Sequence, residues 1–198
     1  MKIYVTGLGV VSGIGLGVAE NIASLRKHQH GMGKVTLFPT ELDVPVSEVK
    51  YSNEELKQLL SLDIQKTFSR TALLGMLAAR EAVDDARLDL NTLRVGLISS
   101  TSVGGMDLSE HFYNAFKKDN RKGRLREVIS HDCGASTEMI ADYLKVNDFV
   151  TTISTACSSA ANAIMLGARM IRNGQLDAHC RKLRADDKER PQFLMQQR

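Results

Sequence analysis

Residues Val150–Ala161, VTTISTACSSAA, contain the change of pattern that decides how this chain folds. The first half is rich in β-branched residues, which suit the extended backbone of a strand. From Ala160 to Arg172 the residues are apolar on nearly every side, which predicts a helix buried within the domain, and Gly174 is a typical stop signal just after it. The stretch therefore predicts a strand, a tight turn and a helix.

A single cysteine, Cys157, lies where the predicted strand gives way to the helix. The first turn of a helix has N–H groups without intrahelical partners and carries the positive end of the helix dipole. Both features stabilise a thiolate, and the same N–H groups could hold the oxyanion of a thioester under attack. A plain buried thiol is the competing interpretation, because free cysteine is among the most buried residue types.

The composition is that of an ordinary globular protein of 198 residues, with 43% hydrophobic and 25% charged residues, long enough for one domain with a substantial core. No apolar run could span a bilayer, so we expect no membrane partner, and the start does not resemble a signal peptide. Three cysteines without CxxC spacing favour a reducing, cytoplasmic setting over disulfides or zinc. The net charge of +3 lies wholly in residues 181–198, so we expect no nucleic-acid partner.

Two further motifs have weaker functional interpretations. Gly7–Ser12, GLGVVS, is similar to a dinucleotide-binding turn, but Ser12 stands where that fingerprint has its third glycine, so close packing under neighbouring elements is favoured over a cofactor site. His131-Asp132-Cys133 has no second ligand pair to support a metal site. A dyad of His131 with Cys157 is the alternative left open.

Four segments, in order along the chain, resemble the beta-ketoacyl-acyl-carrier-protein synthases. They are the strand and turn Ile3–Ser12, the long helix that we predict from Ile64 to Arg87, the strand and glycine turn Val95–Gly105, and the cysteine segment Thr155–Asp177. The alternation of strands and helices is typical of an α/β domain with a mainly parallel sheet. The resemblance implies a thiolase-like fold in which this chain supplies one incomplete half of a layered αβαβα architecture.

By this resemblance, Cys157 is the nucleophile that accepts an acyl group from the phosphopantetheine thioester of acyl carrier protein, the expected partner. No cofactor is expected to be bound. Val103, Gly104 and Met139 are implied to border the acyl-chain pocket, with a simple turn and plain helix packing as the competing explanations. The relatives are dimers paired through the strand before the nucleophile, so we expect a homodimer of the full-length form.

The resemblance ends at Ala178, which divides the chain into a truncated synthase domain, residues 1–178, and an aberrant, disordered tail, residues 179–198. No strand is predicted in this polar and aperiodic tail, and His179 and Cys180 receive no catalytic role. A reading-frame error or a natural truncation would explain the change. In the relatives a second half carries two histidines that act on the malonyl group, so this chain alone is expected not to complete the condensation.

Three other functions compete with acyl condensation. A non-catalytic partner, like the chain-length subunits of condensing enzymes, would lack the nucleophilic cysteine that is present here. A non-functional fragment would expose apolar surface and aggregate. A thiolase-type acyltransferase would use a cysteine nucleophile in the same way.

Overall fold

The structure is a computed structural model that describes residues 2–180 and the backbone of residues 192–197. Within these residues the helices are α1 (Val18–Arg26), α2 (Asn53–Leu59), α3 (Arg70–Ala86), α4 (Met106–Lys118), α5 (Leu125–Ile129), α6 (Cys133–Leu144) and α7 (Ser159–Arg172). The strands are β1 (Ile3–Gly9), β2 (Val11–Ser12), β3 (Gly15–Leu16), β4 (Met32–Gly33), β5 (Val46–Ser47), β6 (Val95–Ser100), β7 (Phe149–Ile153), β8 (Ala178–Cys180) and β9 (Gln192–Gln197). None of these helices has the length and apolar composition needed to cross a membrane.

Five of the strands form one mixed sheet in the order β1-β9-β8-β6-β7. β8 and β7 flank β6 in parallel, whereas β9 lies antiparallel to both β8 and β1. Four strands therefore run in one direction, and the prediction of a mainly parallel sheet is confirmed. β2–β3 and β4–β5 form two small antiparallel pairs beside it.

Helices cover both faces of the sheet. α3 and α6 pack on one face, where Leu97 of β6 joins a core that includes Leu73 and Met76. α7 packs on the other face, where Ile98 joins Ile171. All six residues of β6 are buried, as expected for a parallel strand covered on both sides. The sheet flanked by helices that the sequence predicts is thus confirmed.

β1 lies so close to α3 that its glycines have no room for a side chain. A Cβ atom at Gly9 would lie 1.9 Å from the carbonyl oxygen of Ala78, and one at Gly7 would lie 2.2 Å from that of Ala82. The close packing predicted for this glycine region is confirmed, and it explains why these positions need glycine.

Carboxylates of α3 bind backbone N–H groups within β1, just after it and at the start of α1. The N–H of Leu8 donates to Asp85 Oδ2 at 2.9 Å, and the N–H groups of Val10 and Val18 donate to Glu81 at 2.9 and 2.7 Å. An edge strand otherwise presents unpaired backbone groups to solvent. Asp85 is exposed near the end of α3, and its carboxylate also accepts the N–H of Leu8 in the strand.

Two helix predictions need correction. α3 begins at Arg70 and not at Ile64, because the hydroxyl of Ser69 accepts the N–H of Ala72 at 3.1 Å and caps the helix there. α7 is only partly buried, since Met165 on its outer side is 45% exposed. Both corrections leave the cysteine junction where the sequence predicts it.

Residues after Ala178 form strands, so the prediction that the tail contains no strand is wrong. β8 includes His179 and Cys180, and β9 spans Gln192–Gln197. β9 fills the place between β8 and β1 and pairs with both, so its backbone groups find partners on two sides. Residues 181–191 and 198 lie outside the described residues, so the disorder predicted for the tail and the boundary after residue 178 stay predictions.

We expect Gly9→Ala to lower the free energy of unfolding by about 1–3 kcal/mol, because the new methyl group meets backbone that cannot move aside easily. Urea denaturation monitored by circular dichroism measures the loss. Gly33→Ala is the matched control, since a Cβ there meets nothing within 4 Å. Equal losses in the two variants would contradict the tight contact of β1 with α3.

Candidate active site around Cys157

Cys157 lies at the junction that the sequence predicts. β7 ends at Ile153, a 3₁₀ turn covers Ala156–Ser158, and α7 begins at Ser159. The thiol is exposed and not sealed in the core, so the buried-cysteine interpretation is wrong. The side chain therefore sits beside the first turn of α7, where backbone N–H groups lack intrahelical acceptors and the helix dipole is positive.

The turn depends on an unusual backbone conformation at Ala156. Its φ is +49°, in the left-handed region that non-glycine residues seldom adopt. This conformation costs about 1–2 kcal/mol for a residue with a Cβ. Strain of this kind persists only where the surroundings hold it, and it concentrates at functional sites.

Short polar side chains hold the turn. The Oγ of Ser159 accepts the N–H of Thr155 at 2.7 Å and donates to the carbonyl of Ala156 at 2.8 Å. The Oγ of Ser158 donates to the carbonyl of Thr155 at 2.8 Å. Asn162 Nδ2 donates to Thr155 Oγ1 at 2.9 Å. These hydrogen bonds join the residues before, within and after the turn, and together they can offset the strain at Ala156.

Thr155, Ser159 and Asn162 belong to the site although no sequence motif assigns them to it. Serine, threonine and asparagine often bind nearby backbone groups at helix starts, so their density around Cys157 was the available signal. The left-handed turn at Ala156 determines which of these side chains form hydrogen bonds with the turn, and the sequence does not reveal that conformation.

The turn after β6 lies at the same edge of the sheet as Cys157. Ser100 is in register with Ile153, so the chain leaves β6 and β7 side by side. Val103 is half-buried in this turn, and Gly104 is buried with a φ of +58°. A Cβ at Gly104 would lie 2.9 Å from Cys133 Cα, so glycine lets the turn approach the start of α6.

Met139 is half-buried and packs against the core between α3 and α6. Helix packing therefore accounts for this residue. Its contact with an acyl chain, like that of Val103 and Gly104, stays a prediction.

The family model for the beta-ketoacyl synthase N-terminal domain matches residues 1–179. The chain belongs to the beta-ketoacyl synthase family. Its relatives include 3-oxoacyl-[acyl-carrier-protein] synthase 2 of Staphylococcus aureus (strain MRSA252), 27% identical over 187 residues, and Nodulation protein E of Rhizobium meliloti (strain 1021), 28% identical over 189 residues. The matches cover 90% and 89% of this chain but only 44% of each relative, so the chain spans less than half the length of these proteins.

Solved structures of ketosynthases share the fold. The ishigamide ketosynthase/chain length factor superposes with a TM-score of 0.83 at 24% identity, covering 98% of this chain and 58% of the other. A beta-ketoacyl synthase from Burkholderia phymatum STM815 gives a TM-score of 0.66 at 13% identity, covering 100% of this chain and 59% of the other. The fold is therefore thiolase-like, as the resemblance implies.

Two histidines of this family member, His131 and His179, make contacts with residues other than Cys157. His131 is exposed, and its Nδ1 lies 3.0 Å from Ser109 Oγ. His179 is buried, and its ring lies against Gly167 of α7. Gly167 is eight residues into that helix, about 12 Å from its start. The dyad of His131 with Cys157 thus finds no support in the hydrogen bond that His131 makes.

Cys180 is an unsuitable nucleophile in the same chain. It is buried in β8, and burial raises the pKa of its thiol to about 12. A thiol reacts as the thiolate, so both the burial of Cys180 and its raised pKa disfavour its reaction.

Iodoacetamide at pH 8 should therefore alkylate Cys157 in the folded protein and leave Cys180 unmodified until denaturant is added. Peptide mapping by mass spectrometry measures both sites, with half-buried Cys133 as an internal reference. Because the pKa of Cys180 is raised, its protection should persist as the pH increases to 10. Rapid alkylation of Cys180 in the native protein, or none at Cys157, would contradict the placement of these thiols.

Proposed function

We propose that this chain carries the nucleophile of a 3-oxoacyl-[acyl-carrier-protein] synthase and that Cys157 is the acylated residue. The supporting observation is the exposed thiol at a strained turn directly before α7. Family membership supports the class of reaction, which is acyl-carrier-protein-dependent condensation in fatty acid or polyketide biosynthesis.

The proposed step is transfer of an acyl group between two sulfur atoms. The Cys157 thiolate attacks the carbonyl carbon of an acyl thioester, and the carbonyl oxygen becomes an oxyanion. The backbone N–H of Cys157 is the proposed donor to that oxyanion, and the positive end of the α7 dipole would add to its stabilisation. The tetrahedral intermediate collapses with loss of the carrier thiolate, which takes a proton from solvent, and a thioester on Cys157 remains.

Decarboxylation of malonyl carrier protein is not proposed for this chain alone. In the family, histidines of the second half act on the malonyl group. Here the ring of His131 binds Ser109, and His179 packs against the middle of α7. We therefore propose that acylation at Cys157 is separable from condensation.

The proposed partner is acyl carrier protein, which delivers the acyl group on its phosphopantetheine arm, and no bound cofactor is needed for the transfer. A structural relative of 17% identity is a type II ketosynthase in complex with its acyl-carrier protein. The acyl chain would run along the sheet edge beside Val103 and Gly104, with Met139 deeper on α6. The cytoplasm is the proposed location, because the three cysteines are free thiols.

A homodimer of the full-length form is also proposed. Within the described residues β7 ends the sheet, and its outer edge has no strand beside it. An edge strand of this kind presents backbone groups that a second copy can pair with. The same edge leads directly into the Cys157 turn, so a partner there would lie next to the acyl site.

Incubation with acyl-carrier-protein thioesters, followed by intact-mass measurement, tests the acylation. We expect one acyl group per chain on the wild type and on Cys133→Ala, the matched cysteine control. Cys157→Ala should acquire the adduct at least about 100-fold more slowly, because no other described thiol is both exposed and placed at a helix start.

Two results would contradict the proposal. One is an adduct that survives Cys157→Ala, and the other is no adduct on the wild type. Malonyl carrier protein added to the acylated chain should release carbon dioxide no faster than the background, and a clear increase would show that the chain decarboxylates without the second half.

A further inference from the structure

Asn162 reaches from α7 back across the turn that holds Cys157. Its Nδ2 donates to Thr155 Oγ1 at 2.9 Å and lies 3.4 Å from Ser158 Oγ. Thr155 precedes the left-handed residue Ala156, and Ser158 follows Cys157. One amide group therefore touches both ends of the segment that sets the direction of the thiol.

The hydroxyl groups complete a small ring of hydrogen bonds. Ser158 Oγ donates to the carbonyl of Thr155 at 2.8 Å and to Thr155 Oγ1 at 3.1 Å. Asn162 Nδ2 lies within 3.4 Å of both hydroxyl oxygens, so the amide and the two hydroxyl groups form a closed ring. Within this ring the amide donates to Thr155 Oγ1 and so fixes the threonine side chain.

We infer that Asn162 is a positioning residue, which stabilises the left-handed turn at Ala156 and so keeps Cys157 at the start of α7. Its consequence for acyl transfer rests on the proposed function, whereas its effect on the turn does not. Ser159 holds the same turn through the N–H of Thr155, so removal of Asn162 should loosen the turn without unfolding it.

The variant Asn162→Ala separates this role from a general effect on stability. Alanine is the better helix former, so the melting temperature should stay the same or rise. The amides of Thr155 and Ser158 are hydrogen-bonded in the turn, to Ser159 Oγ at 2.7 Å and to the Thr155 carbonyl at 3.2 Å. We expect both to exchange with deuterium about fivefold faster in the variant, because one hydrogen bond of the ring is lost.

A rescue variant gives the sharpest test. Glycine adopts a positive φ without the steric cost that alanine carries, so Ala156→Gly removes the strain that Asn162 is inferred to offset. In the double variant Ala156→Gly/Asn162→Ala, both amide exchange rates should return to within about twofold of the wild type. A residue that acted only through helix packing would not be rescued by a change at Ala156.

Acylation is measured on the same proteins with an acyl-carrier-protein thioester. Asn162→Ala should lower the maximal rate constant of acylation about tenfold, with little change in the thioester concentration that gives half of that rate, because the thiol is misplaced and the thioester still binds. The double variant should recover. Arg169→Ala, an exposed change on the same helix, should leave acylation and exchange unaltered.

The outcomes distinguish the two claims. If the wild type is not acylated but Asn162→Ala speeds exchange and Ala156→Gly reverses it, the proposed function fails and the positioning role stands. Unchanged amide exchange in Asn162→Ala, or faster exchange that Ala156→Gly does not reverse, would overturn the positioning role even if the wild type is acylated.

Discussion

The candidate site depends on one backbone conformation, the positive φ of Ala156. This conformation turns the chain away from the direction of β7. α7 starts only three residues after Ala156, and the exposed residue Cys157 lies between the strand and the helix. A strain of about 1–2 kcal/mol exceeds what one net hydrogen bond of about 0.5–1.5 kcal/mol reliably supplies. Two or more side-chain hydrogen bonds are therefore needed, and serine, threonine and asparagine supply them within a span of eight residues.

The pairing of β6 with β7 determines which segment of the chain lies near this turn. β6 and β7 run in parallel and in register, so the residues that follow Ser100 and those that follow Ile153 leave the sheet at one edge. Ligands of open α/β sheets bind outside the carboxyl ends of the strands, which is the edge that these two strands form. At the other end of the strand order, the contacts stabilise the sheet. There β9 joins β8 to β1, and carboxylates of α3 accept the N–H groups of Leu8 in β1 and of Val10 just after it.

Local signals in the sequence predict much of this arrangement. The β-branched run before Cys157 and the small apolar residues after it predict the junction, and the continuous apolar run of β6 is typical of a parallel strand covered on both faces. The glycines of β1 predict a close approach. Each of these features is visible because neighbouring residues in the chain determine it.

The features that the sequence did not reveal depend on contacts between distant segments. β9 has no periodic pattern, and it forms a strand because β8 and β1 offer partners on both sides, which outweighs its weak propensity. Asp85 is an exposed residue of α3 whose carboxylate accepts the N–H of Leu8, 77 residues away in the chain. Asn162 looks like an ordinary helix residue until the left-handed turn brings Thr155 within reach.

We propose that the sulfur atom of Cys157 is both the accessible thiol and the acyl acceptor. A protection experiment tests this directly: the protein is first treated with an acyl thioester and then with isotope-labelled iodoacetamide, and each cysteine is quantified by peptide mapping. We expect Cys157 to be the one cysteine whose alkylation falls relative to the untreated protein, and we expect neutral hydroxylamine, which cleaves thioesters, to restore it. Full alkylation of Cys157 after acyl treatment, with the acyl group elsewhere or absent, would contradict the proposal.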